Sequence, residues 1–320
     1  MSFETNSEQE TFIHRYDVIN EANEKSFYMT NPNRSLDVYQ SIQSIGPARS
    51  PESLAAGRVI AAGNMSPLGP YGPVELSEDE RKEDASQNLE SFLKSVDIPP
   101  SHVFVLWPER DYSTPLSIVN ADEQEVDESA TTPTRLHASG DFVYSYDPNK
   151  VLAARPADCP IMFATADTPK GKIHVLVHYA WKGAGSHYVA QTAEAFDALG
   201  VDKDSLEIYL TPGGQAESYP YASHEDPREV YKNTDGLFAN VEKQTNNDGS
   251  TTYSFGIDTP KFVYDQVIEQ LKVRPEQVFC DTSDTSALNS GYSSHGRSKR
   301  LEDTGESNTR DIVLAVFTVQ

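Results

Sequence analysis

The residues best suited to chemistry in this sequence are a cysteine and a histidine nineteen positions apart. Cys159 lies in an Ala-Asp-Cys-Pro segment, and His178 opens the segment His-Tyr-Ala-Trp-Lys-Gly. Each stands at the edge of an apolar run, so a thiolate and an imidazole can meet across neighbouring strands. Such a pair suits either a zinc site or a Cys/His nucleophile pair. The spacing therefore predicts the functional site at these two positions.

The elements around this pair are predicted to be short strands followed by a helix. Apolar runs bounded by Gly, Pro or Asp predict strands at Val151–Ala154, Ile161–Ala164 and Ile173–Val177. Apolar residues at helical spacing predict a helix over Gly183–Leu199, directly after the His178 segment. This arrangement places both residues at strand ends.

The rest of the chain adds strands and helices without a regular alternation. Helices are predicted from about Ser77 to Val96 and from Thr259 to Lys272, with further strands such as Val103–Trp107 and Leu116–Val119. This order favours an α+β protein with mixed β-sheets flanked by helices. We expect residues 1–53 to form a partly disordered N-terminal extension and residues 54–320 to form a single catalytic domain.

Composition restricts the partners of the chain. The 320 residues carry 26 basic and 49 acidic side chains, for a net charge of −23, and 37% are hydrophobic. Because phosphate backbones and anionic membranes attract clustered Lys and Arg, we expect no nucleic-acid or membrane partner. The acidic run 122–128 is expected to be an exposed insertion. Two cysteines and no apolar leader favour a cytoplasmic protein without disulfides.

The segment from Val151 to Gly183 resembles the two signature segments of the laccase-domain family. This family is also called multicopper polyphenol oxidoreductase and, more recently, purine nucleoside phosphorylase. Its pattern is a strand ending in Ala-Asp-Cys, followed by His-Ala-Gly-Trp-Arg-Gly. Cys159, His178, Trp181 and Gly183 coincide with it, while Lys182 replaces the arginine. The resemblance implies a laccase-domain, cysteine-hydrolase-like fold.

Weaker matches follow in the family's order over about residues 55–320. Asp141 matches the acidic residue before the first signature, and Asp258 matches the aspartate that opens a later helix. The segment 209–213 resembles the family's Leu-Gly-Pro turn, and Cys280 begins a late Cys-Thr segment.

The resemblance implies a metal site and a purine nucleoside substrate. Family members bind zinc, or copper in the older interpretation, through two histidines and one cysteine. Their activities are phosphorolysis of adenosine, inosine and methylthioadenosine, with phosphate as co-substrate, and deamination of adenosine. Cys159 and His178 match two ligands, but Arg110 stands where the first histidine belongs. Arginine has no lone pair to offer a metal.

Three alternatives remain at this point. His137 could supply the third ligand, or the metal could be lost with Arg110 supplying positive charge, or the chain could be an inactive relative that only binds a small molecule. Without metal, Cys159 and His178 could form a thiolate pair that hydrolyses amides. A multicopper oxidase needs many paired histidines, and eight scattered ones do not provide them.

Phosphorolysis would also need cations that hold phosphate against the sugar. The basic residues predicted to bind substrate or phosphate are Arg110, Arg155, Lys182 and Arg297.

Overall fold

The computed structural model describes residues 27–30, 36–41, 77–108, 115–138, 141–184, 187–231, 234–287, 294 and 312–317. These residues form two six-stranded sheets, one three-stranded sheet and five α-helices. The α+β class with mixed sheets, predicted from the sequence, is confirmed.

The first sheet has the strand order β1-β2-β15-β7-β3-β5. Its strands are β1 (Phe27–Thr30), β2 (Leu36–Ser41), β3 (Val103–Pro108), β5 (Thr134–Ala138), β7 (Val151–Ala154) and β15 (Val313–Phe317). Strands β3, β5 and β7 are parallel, whereas β15 runs antiparallel to both β2 and β7. Two strands thus come from the segment before residue 54 and join the sheet of the main domain.

The second sheet has the order β14-β10-β8-β9-β6-β4. Its strands are β4 (Ile118–Asn120), β6 (Phe142–Ser145), β8 (Ile161–Thr168), β9 (Gly171–His178), β10 (Glu207–Leu210) and β14 (Val278–Cys280). Its central hairpin, β8 and β9, pairs Ile161 with His178. A third sheet, in the order β11-β13-β12, contains β11 (Pro220–Ser223), β12 (Phe238–Thr245) and β13 (Thr251–Ile257).

The two large sheets pack face to face. Successive residues of a strand point to opposite faces of its sheet, and each of these sheets has an apolar face toward the other. Phe104, Leu152 and Phe317 of the first sheet meet Phe163 and Leu176 of the second in one buried cluster. This apolar layer is the centre of the molecule, and burial of aromatic and aliphatic side chains there is the main source of its stability.

Helices cover the outer faces of this sandwich. Helix α1 (Glu78–Ser95) packs Phe92 and Leu93 against the outer face of the first sheet. The outer face of the second sheet packs against α3 (Tyr188–Leu199) and α5 (Thr259–Leu271), while two helices of one turn each are α2 (Trp181–Ala184) and α4 (Pro227–Val230). Among the helices of the described residues, none has the length and apolar character that a bilayer crossing requires.

The ends of α1 and α5 agree with the predictions to within one residue. Ser77 caps α1 with a capping box to Glu80, and Asp258 caps α5 by accepting a hydrogen bond from the Lys261 N–H. The predicted continuous helix over 183–199 is wrong. The chain forms α2, and α3 begins only after His187, which has a left-handed φ of 65°.

The interpretation of 122–128 as a purely exposed insertion also needs correction. Asp122 accepts a hydrogen bond from the Tyr146 N–H at 2.8 Å and another from the Ser145 hydroxyl. The ammonium group of buried Lys150 donates to the carbonyls of Ala121 and Gln124 at 2.8 and 2.6 Å. One end of the acidic segment is therefore fixed to the second sheet, although residues 123–125 and 127–129 are exposed.

Candidate active site

Cys159 and His178 meet at one end of the second sheet, as their spacing predicts. Cys159 lies in the turn between β7 and β8, and His178 is the last residue of β9. Because Ile161 pairs with His178, and the Tyr179 N–H donates to the Pro160 carbonyl at 3.0 Å, the two chain segments run side by side. The Cys159 thiol lies close enough to the His178 imidazole to interact with it electrostatically.

Asp141 completes a line of three groups. Its carboxylate oxygen Oδ1 lies 3.1 Å from Nδ1 of His178, and its carbonyl accepts a hydrogen bond from the His178 N–H at 2.8 Å. Asp141 is fully buried, and within the described residues its Oδ2 has no hydrogen-bond partner. The carboxylate therefore orients the imidazole, and the other ring nitrogen is the one left for Cys159.

The charge state of His178 depends on this neighbour. Burial alone would lower the pKa of His178, but the Asp141 carboxylate, its hydrogen bond and the interaction with Cys159 outweigh burial and raise the pKa to about 10. In contrast, burial raises the pKa of the second thiol, Cys280, far above the usual range. Cys159 thus lies beside a basic side chain, whereas the Cys280 thiol donates to the Asp281 carbonyl at 3.9 Å.

Two loops hold the Cys159 turn from behind. The Gly214 N–H donates to the carbonyl of Asp158 at 2.9 Å, and the Thr285 hydroxyl donates to its carboxylate at 2.9 Å. The Thr211 hydroxyl accepts a hydrogen bond from the Ile161 N–H at 2.9 Å. These contacts fix the backbone on both sides of Cys159, although none of them touches the thiol.

Glycine is required at two positions in this support. A Cβ at Gly213 would lie 2.9 Å from the Asp158 carbonyl oxygen and 2.8 Å from the ring of Pro260. A Cβ at Gly214 would lie 2.7 Å from the ring of Tyr219. All three distances are too short for a real Cβ atom, so glycine at 213 and 214 allows the turn at 211–214 to pack closely against the Cys159 segment.

An aromatic cluster lies next to the histidine segment. Trp181, three residues after His178, has its ring centroid 5.1 Å from that of Tyr231 and 5.5 Å from that of Tyr221, with Phe238 at 6.2 Å. Trp181 and Tyr231 are half-buried, and Tyr221 is exposed. Planar faces are thus present close to the Cys159–His178 pair along the chain.

Of the other predicted site residues, the structure describes Lys182 and Arg155. Lys182 is exposed at the start of α2, with its Nζ 5.5 Å from the Trp181 ring centroid. Arg155 lines a cavity on the outer face of the first sheet. Arg110 and Arg297 lie outside the described residues.

The metal ligands can be tested by the chemistry of the donors present. A thiolate and an imidazole backed by a buried carboxylate form a combination common at zinc sites, where the carboxylate sets the histidine tautomer. Two donors and their orienting group thus fit the ion. Within the described part of the chain, no group of three His, Cys, Asp or Glu residues could hold a metal. The backbone of His137 pairs with Trp107 in the first sheet, and the His137 side chain lies outside the description.

Comparison with known proteins identifies the family. A family model described as multi-copper polyphenol oxidoreductase laccase matches residues 62–309. The chain belongs to this family. The match covers most of the region in which the sequence resembles the laccase domain, including Asp141, Cys159 and His178. No curated protein matches the sequence.

Solved structures of the laccase-domain fold resemble the chain over nearly its whole length. Hypothetical protein YfiH of Bacillus licheniformis has a TM-score of 0.63 at 15% identity, covering 92% of this chain and 97% of that protein. YlmD of Geobacillus stearothermophilus has a TM-score of 0.62 at 13% identity, covering 96% and 100%. A Neisseria meningitidis protein has a TM-score of 0.57 at 16% identity, covering 92% and 100%. At these identities the likeness shows the fold.

Asp141 is the functional candidate that the sequence interpretation left out of the site. Its match to the family's acidic residue was visible, and it directly precedes the strand β6. No local pattern says that it faces His178, because the two positions are 37 residues apart and meet only through the antiparallel pairing of β6 with β9.

Proposed function

We propose that the chain is an enzyme acting on purine nucleosides, by phosphorolysis or deamination, at the group formed by Asp141, His178 and Cys159. The observation that carries this proposal is the contact of His178 with both Asp141 and Cys159 at a sheet end. Adenosine, inosine and methylthioadenosine are the substrates that membership of the family suggests. The aromatic cluster around Trp181 supports a planar substrate, because purine rings stack on aromatic faces.

Each residue of the site would have a separate role in the reaction. Cys159 and His178 would hold a zinc ion, and bound zinc supplies an activated water or a Lewis acid. Asp141 would keep the imidazole in the tautomer that leaves its Nε2 free for the ion. In phosphorolysis a phosphate oxygen forms a bond to C1′ as the bond from C1′ to the base breaks, and the base departs with a proton. Lys182, exposed beside Trp181, would attract the phosphate dianion.

The experiment is a nucleoside panel with the full-length chain. Adenosine, inosine and methylthioadenosine are incubated with and without inorganic phosphate and with and without added zinc, and products are separated by chromatography. Phosphorolysis releases free base only with phosphate, and deamination converts adenosine to inosine without it. Cys159→Ala and His178→Gln should each reduce kcat/KM at least about 100-fold, whereas Cys280→Ala should retain activity. Absence of turnover for all three nucleosides under every condition contradicts the proposal.

A second candidate is a metal-independent amide hydrolase. It is favoured by the order of the three groups. The Cys159 thiol would be the nucleophile, the His178 imidazole the base, and the Asp141 carboxylate the group that orients the base. Cys159 Sγ would attack the carbonyl carbon, and His178 would pass the thiol proton to the leaving amine. Water would then hydrolyse the thioester and regenerate the thiol.

This candidate differs from the first in its response to metal. Amide hydrolysis should persist in the presence of a chelator and should disappear after alkylation of Cys159. Hydrolysis of a panel of p-nitroanilide amides, followed by absorbance with and without chelator, makes the distinction. Activity that depends on zinc, or that survives Cys159→Ala, would exclude the hydrolase mechanism.

A further inference from the structure

A cavity of about 950 Å³ lies on the outer face of the first sheet. Its walls are one side of α1, the loop that follows α1, the segment 130–133 and residues of β3, β5 and the end of β7. None of its described lining residues belongs to the Asp141–His178–Cys159 group. The volume is in the range of small-molecule sites.

The floor of this cavity is aliphatic. It consists of buried side chains from α1, from the following loop and from the sheet: Leu89, Leu93, Ile98, Val105 and Ile312. No aromatic residue is among the described residues that line it. Removal of apolar area from water stabilises a complex. Such a floor suits an alkyl chain better than a flat ring.

Two arginines stand at the sheet side of the same cavity. Val105 of β3 pairs with Arg135 of β5 on one side and with Ala153 of β7 on the other, and Arg155 follows two residues after Ala153. With neighbouring strands about 4.8 Å apart and residues about 3.3 Å apart along a strand, the two Cα atoms are roughly 12 Å apart. Two guanidinium groups can span that separation and converge on one anion, which they bind through charge-assisted hydrogen bonds.

The basic and acidic residues that line the cavity lie mostly on different sides of it. The chain as a whole carries a net charge of −23, so it exerts no general attraction on anions. The acidic residues of the lining, Glu90 and Asp97, are exposed and lie on the helix side, where Lys94 is also found. The sheet side, above the apolar floor, carries Arg135 and Arg155, both half-buried.

We propose that this cavity binds an amphipathic anion, with a carboxylate or phosphate head at Arg135 and Arg155 and an aliphatic tail over the floor formed by α1 and the sheet. The cavity is thus a small-molecule site separate from the catalytic group, and occupancy of it does not depend on which reaction the Cys159 site performs.

Isothermal titration calorimetry on the full-length chain tests the proposal with four probes at fixed salt: decanoate, decyl phosphate, decanol and inorganic phosphate. Decanoate or decyl phosphate should bind one per chain, and the tighter of the two identifies the head group. Decanol and inorganic phosphate should each bind at least about tenfold more weakly, because each lacks one half of the interaction. Equal affinity for decanol and both anions would overturn the assignment, as would failure of both anions to bind.

Variants locate the binding. Arg135→Met combined with Arg155→Met should weaken binding of the anion at least about tenfold, whereas the matched surface change Arg274→Met should leave it unchanged. Ser86→Phe, which places a ring in the cavity from α1, should weaken binding of the anion and of decanol together. If the double arginine variant does not fold, the Ser86→Phe result and the comparison of probes on the unmodified chain still show whether the cavity binds the anion. Undiminished anion binding in the folded variants would refute the site.

Discussion

At the scale of single residues, the structure adds Asp141 to the predicted pair of Cys159 and His178. Cys159 and His178 were predictable from the sequence because the apolar runs before them define strands whose ends meet. Asp141 was not placed in the site, because only the pairing of β6 with β9 brings it to His178. A third metal ligand could not be deduced either, since arginine at position 110 removes the only residue that the family pattern would assign.

The ion pair between Asp141 and His178 gives a pH prediction. The folded-state pKa of His178, about 10, is raised above its usual 6.5, so the pair stabilises the fold fully below pH 6.5. This contribution is lost as pH rises toward 10. In Asp141→Asn only the effect of burial remains strong, and the pKa of His178 should fall to 6.5 or below. NMR titration of the imidazole resonances measures the pKa of His178 in both proteins, with His174 as an internal reference. An unchanged His178 pKa in Asp141→Asn would show that the carboxylate does not control it.

The two cysteines should differ in reactivity. Both cysteines are partly exposed, but burial of the Cys280 thiol group raises its pKa and keeps it protonated, whereas the Cys159 thiol lies beside the His178 imidazole. Iodoacetamide at neutral pH should therefore label Cys159 well before Cys280, as measured by peptide mass spectrometry over time. Alkylation of Cys280 at the same rate or faster would contradict this environment for the two thiols. Cys159→Ser provides the control for assignment of the peptides.

At the scale of elements, prediction succeeded where local signals were strong. Helix α1 has a Ser-x-x-Glu start, and α5 has an Asp followed by Thr-Pro, so their first turns were readable. Strands β5 and β12 were missed because their residues are largely polar, and β11 was missed because it is short, begins with proline and is exposed. The break before α3 was missed because apolar spacing continues across it, although His187 adopts a left-handed conformation.

Lys150 shows how one buried charge secures an irregular segment. Its ammonium group donates to the carbonyls of Ala121 and Gln124 and lies 3.9 Å from the Asp122 carboxylate. Lys150→Met should lower the free energy of unfolding by about 1–3 kcal/mol, because buried acceptors lose their donor. The matched change Lys172→Met breaks an exposed ion pair with Asp167 and should cost less than about 1 kcal/mol at neutral pH. Urea unfolding compares the two, and equal losses would argue against the anchoring role.

At the scale of the whole molecule, the interior between the two large sheets contains a histidine. His174 is buried there and stacks on Phe317 with ring centroids 3.9 Å apart. Burial, aided by the positive charge of Lys172, lowers the pKa of His174 to about 4. The α+β class was predictable from the sequence, but the facing of two sheets was not, because short strands do not reveal which sheet they enter.

This ring should make the fold sensitive to acid. Because the folded pKa of His174 lies below the unfolded value of 6.5, the unfolded chain binds more protons between these values. Stability should fall as pH decreases from 6.5 toward 4, by on the order of 3 kcal/mol from this residue. His174→Phe keeps the stack and should flatten that decline, whereas the exposed change His224→Gln should not. Urea midpoints at pH 4.5, 5.5 and 7 measure the slopes, and parallel slopes would contradict the assignment.

The position of β15 has a consequence for the order in which the protein can assemble. Residues 313–317 form the only described link between β2, near the start of the chain, and β7. The strands of the second sheet all lie before residue 281, so they are synthesised before β15. Strands β1 and β2 therefore cannot join the rest of the first sheet through β15 until residues 313–317 have been translated. The second sheet, which positions His178, can therefore form during synthesis before β2 pairs with β15.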